Sequence, residues 1–346
     1  MRLLAFSLLL GLALAGNLPS KVSLSGVRHE YQRYNNCGPV TIGMAMSYWG
    51  GQETQYQIAP VLKPNPRDKN VSLEEMVAYA RSKGYQVRYG VAGDYDLLKR
   101  LLAAKFPTII ESWFVVPPTG GMGHYRLLVG YDQKAGYFNA FDSYYGPHVT
   151  LKYRDLDGLW QVFNRTYMVV YPSAREAEIK AILGERSDQA KLLQEALALA
   201  KSETQAQPRN AFAWFNLGDM LLKQGDAKGA AAAYDRSRSL PVYVAFDPGR
   251  PANTVANWPW RMMWYQFGPY EAYYKAGRYS DVITLANDVL RRIDDHEESY
   301  YWRGLARQAQ GNLAGAKADF QAALRYRWSY QEAAQALKSL NVGASR

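Results

Sequence analysis

The single cysteine of the chain, Cys37, lies in a sequence context that favours nucleophilic chemistry. It is followed by Gly38-Pro39 and then by the apolar run 40–49, which closes at Gly50. Proline near the start and glycine beyond the end predict a short helix, buried on all sides, that begins at Cys37. Because a helix N-terminus carries partial positive charge, we expect a lowered pKa for the Cys37 thiol.

A nucleophilic cysteine needs a base, and the chain contains 4 histidines. His124 differs from the others because it follows the glycine-rich segment 120–123 and opens a predicted strand, 125–131. A turn leads into the predicted strand 137–141, and antiparallel pairing brings the start of the first strand beside the end of the second. We therefore expect Asp142 beside His124, where its carboxylate accepts the imidazole N–H and fixes the tautomer.

Acyl transfer also needs a hydrogen-bond donor for the developing oxyanion. Gln32, which lies upstream of the cysteine, is the first candidate, and Asn35 and Asn36 are alternatives. By ligand type, the cysteine, histidine and aspartate could instead bind zinc, although nothing in their spacing supports second-shell partners for a metal.

The residues around these candidates resemble a known family. The segment from Tyr31 to Pro39 reads YQRYNNCGP, GHY surrounds His124, and FD ends at Asp142. This ordered set resembles the bacteriocin-processing (double-glycine) peptidases, peptidase family C thirty-nine, over roughly residues 25–172. The resemblance implies a papain-like cysteine peptidase domain. It also implies four roles: nucleophile for Cys37, general base and acid for His124, orienting carboxylate for Asp142 and oxyanion donor for Gln32.

The sequence departs from that family at two points. Family members linked to a transporter carry membrane spans and an ATP-binding domain, and this chain has helical repeats instead. Cleavage of leader peptides beside a transporter is therefore not expected. In addition, Ser143 follows Asp142, where the family commonly has proline.

Residues 17–172 predict an α+β papain-like domain in which helices pack on an antiparallel sheet. Besides the helix at Cys37, helices are predicted at 72–84, which opens with a capping box, and at 94–105. Alternating and apolar runs predict the strands 108–114, 125–131, 137–141, 149–153 and 166–171.

From about residue 174 onward, helical patterns rich in alanine and leucine replace the strands. Gly277 and Gly311 are 34 residues apart, the period of tetratricopeptide repeats, and an earlier copy surrounds Gly225. We expect an all-α tetratricopeptide-repeat solenoid at 187–346, interrupted by a Pro/Trp-rich insertion at 241–260. Because such a solenoid presents a concave groove, we expect it to bind a protein partner.

Aromatic residues are concentrated in and after that insertion. They either line the partner groove or fill the gap that the interruption leaves. The set is Tyr243, Trp258, Trp260, Trp264, Tyr265 and Tyr270.

Composition narrows the classes of function. The chain has 346 residues, of which 48% are hydrophobic and 21% charged, so sizeable cores are expected and global disorder is excluded. The net charge is +10, but the basic residues are spread along the chain and form no run of Lys and Arg. We therefore expect no nucleic-acid partner. One cysteine excludes an intramolecular disulfide and any zinc site with two thiolates. Without a phosphate loop or a dinucleotide fingerprint, no cofactor is expected.

The N-terminal segment predicts export. Arg2 precedes the apolar stretch 3–15, which is too short to span a membrane and ends in the small residues around Ala15. We expect a signal peptide at 1–15, cleaved after Ala15, a secreted or periplasmic protein, and no stable membrane insertion after cleavage.

These features together predict a cysteine peptidase that hydrolyses protein or peptide substrates through a Cys-His-Asp triad and a thioester acyl-enzyme. The same residues would serve an amidase or an acyl transferase, in which only the acceptor differs. The alternative from another class is a non-catalytic binding protein built on a papain-like domain and tetratricopeptide repeats.

Overall fold

The computed structural model describes residues 18–65, 67–116, 120–242, 254–255 and 258–343. The expected signal peptide and most of the expected insertion, Tyr243 included, lie outside the described residues. Within the described ranges, no helix combines the length and the apolar character needed to cross a membrane.

The N-terminal region is built on one antiparallel sheet of seven strands. They are β1 (Lys21–Ser23), β2 (Gln86–Gly90), β3 (Thr108–Val116), β4 (Gly120–Asp132), β5 (Tyr137–Asp142), β6 (Gly146–Lys152) and β7 (Tyr167–Tyr171). Six strands follow the order β2-β7-β3-β4-β5-β6, and β1 pairs with β4. Each of the predicted strands overlaps an observed one, and the short strands β1 and β2 are additions.

Helices cover this sheet, which confirms the predicted α+β architecture. They are α1 (Cys37–Ser47), α2 (Gln55–Leu62), α3 (Leu73–Ser82), α4 (Tyr95–Ala103), α5 (Tyr153–Gln161) and α6 (Glu176–Leu183). Ser72 begins α3 with the expected capping box, and Asp94 caps α4 by accepting from the backbone amide of Leu97. Neither α2 nor α5 is predicted from the sequence.

Helix α1 begins at Cys37 and is buried from Gly38 to Met46. Because its sequence is apolar on every side, it packs into the core with no solvent face. Thr41 fastens it to β4 by donating from Oγ1 to the carbonyl oxygen of Tyr125 at 3.2 Å. The cysteine is therefore held beside the strand that carries His124.

The C-terminal region consists of paired helices, as predicted. They are α7 (Gln189–Ala206), α8 (Ala211–Lys223), α9 (Ala227–Arg238), α10 (Gly268–Lys275), α11 (Tyr279–Leu290), α12 (Glu297–Ala309), α13 (Leu313–Tyr326) and α14 (Gln331–Gly343). The glycines of the repeat pattern, Gly225, Gly277 and Gly311, have φ of +85°, +76° and +80° at the turns between paired helices. That left-handed conformation favours glycine and explains the spacing read from the sequence.

The two regions share a hydrophobic core. Trp113 of β3 and Phe163, which follows α5, pack in one cluster with Phe215 and Tyr270 of the repeat region. Helix α6 follows residue 172 in the chain but packs on the N-terminal region. Its residues Ile179 and Ile182 belong to the core beneath the N-terminal sheet. The repeats are therefore docked on the N-terminal region through buried apolar surface.

Of the two alternatives for the aromatic set, filling of the gap agrees with the burial of three of its five described members. Trp258 and Tyr270 are fully buried, and Trp264 is 7% exposed. Trp258 packs against Phe215 and Tyr234, with ring centroids 5.1 and 6.3 Å apart. These rings fill the core because an interrupted repeat leaves apolar volume that large side chains must occupy.

Candidate active site

Cys37, His124 and Gln32 line one cavity of about 300 Å³. Cys37 is partly buried at the start of α1, and His124 is buried within β4. Phe114 of the neighbouring strand stacks on the His124 ring, with centroids 4.4 Å apart. The repeat region contributes Tyr265 to the same wall.

Asp142 lies behind His124 and is fully buried. The Nε2 atom of His124 and the Oδ1 atom of Asp142 are 3.1 Å apart. The backbone amides of Tyr144 and Tyr145 donate to the same Oδ1 at 2.8 and 3.0 Å. With Nε2 facing the carboxylate, Nδ1 is the nitrogen left to exchange a proton in the cavity.

The β4–β5 hairpin explains this placement. Leu127 pairs with Phe141, so Asp142 comes opposite Arg126, which lies on the same strand face as His124. Arg126 Nε donates to Asp142 Oδ2 at 2.7 Å, and its NH1 group donates to Ser112 Oγ at 2.6 Å.

Electrostatics favour an ionised Asp142 and a neutral His124. Burial raises the pKa of Asp142, but His124 and Arg126 outweigh burial and hold that pKa well below its usual range. Burial lowers the pKa of His124, and the charge of Arg126 lowers it further against the opposing effect of Asp142. The imidazole is therefore a neutral base at neutral pH.

The expected lowering of the Cys37 pKa is corrected by the structure. Burial raises this pKa and outweighs the backbone amides of Tyr125 and Gly38, which favour the thiolate. Buried Glu111 also raises it, whereas the charge of Lys63 lowers it. Both shifts favour a neutral thiol and a neutral imidazole over an ion pair.

Gln32 is oriented by the residue that departs from the family pattern. Ser143 donates from Oγ to Gln32 Oε1 at 2.7 Å, and its carbonyl oxygen accepts from the Gln32 amide at 2.8 Å. With Oε1 occupied, the Nε2 group of Gln32 is the side-chain donor that can face an oxyanion. Asn36, one of the alternative donors, gives a side-chain N–H to Gln55 Oε1 at 3.0 Å instead.

Three residues near the site were not predicted from the sequence. Arg126 had a usable signal, because residues two apart on a strand share a face with each other. Glu111 is the cross-strand partner of Tyr125 and lines a neighbouring cavity of about 410 Å³ between the two regions. Tyr265 belongs to the aromatic set noted in the sequence, but nothing in that pattern places it at the active site, which it reaches from the repeat region.

The zinc alternative finds no support in the part of the chain that is described. There, no three His, Cys, Asp or Glu side chains form a group that could hold a metal ion. The second oxygen of Asp142 is bound by Arg126, whose positive charge disfavours a cation at that position.

Residues 24–173 match the model of the Peptidase_C39 like family. No curated protein matches the chain. Among similar solved structures is the peptidase domain of Streptococcus ComA, a bi-functional ABC transporter, at 14% identity and a TM-score of 0.35, covering 42% of this chain and 99% of that one. A double glycine motif protease from an AMS/PCAT transporter, in complex with the leader peptide, has 19% identity and a TM-score of 0.32, covering 44% and 95%.

A further similar structure is MamA from Desulfovibrio magneticus RS-1, at 18% identity and a TM-score of 0.36, covering 49% of this chain and 85% of that one. Tetratricopeptide-repeat domains of RPAP3 are also similar to part of this chain, at 20% identity. The chain is thus similar to the Peptidase_C39 like family over its N-terminal region and to tetratricopeptide-repeat proteins over part of its length.

Proposed function

We propose that this protein is a cysteine peptidase that hydrolyses peptide bonds through a thioester acyl-enzyme at Cys37. The observation that carries the proposal is the common cavity of Cys37 and His124, with the Asp142 carboxylate 3.1 Å behind the imidazole. A nucleophile, a base and a group that orients the base are the minimum set for covalent acyl transfer.

In the proposed reaction, His124 accepts the thiol proton as the Cys37 sulfur attacks the peptide carbonyl carbon. The Gln32 side-chain amide donates to the oxyanion that forms. Collapse breaks the C–N bond, and the imidazolium gives its proton to the departing amine. Water then attacks the thioester carbon, and His124 takes a proton from that water. The C–S bond breaks, the carboxylic acid product leaves, and the imidazolium returns its proton to the Cys37 sulfur.

The surface around the cavity supports an extended peptide as the substrate. Tyr34 and Tyr144 line the cavity and are 82% and 49% exposed. Tyr56 is also exposed and its hydroxyl accepts from Arg33 Nε at 3.2 Å. Exposed tyrosines give apolar contact and hydrogen bonds at a low cost in conformational entropy, as peptide-binding surfaces require.

The proposal is tested by digesting an unbiased peptide library and quantifying the cleaved products by mass spectrometry. His124→Ala is expected to lower the rate at least about 10³-fold, as is Cys37→Ala, because the residues of a triad act as a unit. His148→Asn is the matched control, since His148 is exposed on β6 and asparagine tolerates its φ of +61°.

Retention of the wild-type rate in Cys37→Ala would refute the proposed role of this residue. If the wild-type protein cleaves no peptide but transfers an acyl group to an added amine, the acyl-transferase alternative replaces hydrolysis. If Cys37 supports neither reaction, the non-catalytic binding protein is the better description.

A further inference from the structure

Tyr265 belongs to the repeat region, yet it is anchored on the N-terminal region from both sides along the chain. Before it, Arg261 NH1 donates to the carbonyl oxygen of Gly121 at 3.3 Å. After it, Gln266 Nε2 donates to the carbonyl oxygen of Val162 at 2.9 Å. These contacts hold the segment around Tyr265 against β4, which lines the catalytic cavity, and against the residue that follows α5.

A third anchor lies next to the cavity. Asn70, which lines the cavity, donates from Nδ2 to the carbonyl oxygen of Trp264 at 2.5 Å. The residue that precedes Tyr265 is therefore held by the loop that forms another part of the same wall. In each of these three hydrogen bonds a side chain donates to a main-chain carbonyl oxygen across the contact between the two regions.

The Tyr265 ring occupies the space beside the residue that precedes His124. A Cβ atom at Gly123 would lie 3.0 Å from both Cδ2 and Cε2 of Tyr265, and 2.9 Å from Cζ of Phe163. Only glycine fits at that distance. The glycine-rich approach to His124 is thus explained by rings that pack on it, one of which comes from the repeat region.

Tyr265 also lies between two cavities, because it lines both the catalytic cavity and the 410 Å³ cavity between the regions, as do Asn70, Val71 and Tyr125. Burial and the proximity of Cys37 and Glu111 raise the pKa of Tyr265, so the phenol stays neutral at the side of the thiol.

We propose that Tyr265 is a positioning residue supplied by the repeat region: it fixes the Gly123–His124 strand segment and closes the catalytic cavity beside Cys37. Docking of the repeats then completes the active site, so the repeat region is part of the catalytic unit. This inference rests on the proposed function for its kinetic consequence, but its geometric consequence is independent of turnover.

The geometric consequence is tested by alkylating Cys37, the only cysteine, with a small reagent (iodoacetamide) and a bulky one (N-phenylmaleimide) on the full-length protein. Tyr265→Ala removes the ring from the wall of the catalytic cavity and is expected to raise the bulky-to-small rate ratio about tenfold. Tyr265→Phe keeps the ring, so its ratio should stay within about twofold of the wild-type ratio.

The kinetic consequence separates positioning from simple stability. Tyr265→Ala is expected to lower kcat about tenfold while KM stays nearly constant, because it removes the ring that packs on Gly123. Tyr265→Phe keeps that ring and should stay near the wild-type kcat. The matched control is Tyr273→Phe, which removes another buried hydroxyl of the repeat region, 3.0 Å from Asp235 Oδ1. It should leave both the kcat and the alkylation ratio unchanged.

An unchanged alkylation ratio in Tyr265→Ala overturns the closing role, and so does an equal change in Tyr273→Phe. An unchanged kcat in Tyr265→Ala overturns the positioning role. If Tyr265→Ala does not fold, Tyr265→Leu replaces it, with an expected ratio between those of wild type and a fully opened cavity. If the proposed peptidase function is wrong, the wild-type protein will show no turnover. The alkylation ratios do not need turnover, so they still test whether Tyr265 closes the cavity.

Discussion

Cys37 is the first residue of its helix and receives backbone amides from two directions, yet its pKa is raised. The partial charge at a helix N-terminus is worth ~0.3–1 kcal/mol where solvent screens it. Removing a thiolate from water costs more, and the nearby Glu111 adds a repulsive charge when it ionises. The neutral thiol therefore depends on His124 to remove its proton during attack on a substrate.

This resting state predicts a specific pH profile for the alkylation of Cys37. A raised pKa leaves little thiolate at neutral pH, so the rate should climb with pH toward a midpoint above the ordinary thiol value of ~8.5. Glu111→Gln should move that midpoint downward, because the repulsive carboxylate is gone. A preformed thiolate–imidazolium pair would instead give an alkylation rate that is constant from pH 5 to 8, and that result would contradict this prediction.

At the scale of elements, the first turn of α12 contains two buried glutamates. Glu297 and Glu298 lie in its first turn and are 1% and 4% exposed. They face Asp68, whose pKa burial raises to about 6, and the guanidinium of Arg327. Burial, together with the neighbouring carboxylates, raises the pKa of both glutamates despite the favourable helix end.

This contact predicts that the protein loses stability as the pH rises. Groups whose folded pKa is raised stabilise the fold fully below their unfolded pKa of ~4.3, and this stability is lost as the pH rises through the folded values. The Glu297→Gln/Glu298→Gln double variant should have the same Tm as the wild type at pH ~4. At pH ~9 its Tm should be at least about 2 °C higher than that of the wild type. Glu332→Gln, at an exposed site on α14, is the control.

Thermal unfolding followed by circular dichroism at both pH values provides the measurement. A double variant that is less stable than wild type at pH 9 would mean that the ionised glutamates are favourably paired. In that case, Arg327, which forms an ion pair with Glu75 and approaches Glu298 at 3.9 Å, would be the compensating charge.

At the scale of the whole molecule, the N-terminal region depends on residues after 172 to cover part of its apolar surface. The repeat region covers Trp113 and Phe163, and α6 completes the core beneath the sheet. Hydrogen bonds reinforce this contact, among them Asn216 Nδ2 to the Gln161 carbonyl oxygen at 2.9 Å. A division of the chain near residue 172 therefore cuts through packed apolar surface.

Truncation is expected to expose that surface. A fragment ending at residue 172 lacks Ile179 and Ile182 and should aggregate or melt without cooperativity. A fragment ending at residue 187 regains α6 and should melt more cooperatively, while binding a hydrophobic dye through the uncovered Trp113 and Phe163. Cooperative melting and the absence of dye binding in the shorter fragment would show that the regions fold independently.

The sequence by itself determined the features that depend on local pattern. The apolar run after Cys37 forms a buried helix, and the hairpin that follows His124 brings Asp142 to within hydrogen-bond distance of the imidazole. The turn glycines of the repeats keep their spacing for the same reason. Backbone conformation and side-chain periodicity are set by neighbours along the chain, so they can be read from it.

Only the tertiary structure decided the direction in which the pKa of the thiol is shifted and the contribution of Tyr265 to the wall of the cavity. Desolvation of Cys37 depends on what packs around it from every direction, and helix position alone gave the wrong sign for its pKa shift. Tyr265 reaches Gly123 from a distant part of the chain, through contacts such as that between Gly121 and Arg261. Burial and long-range contact are properties of the assembled fold, because they arise where segments remote in sequence exclude water together.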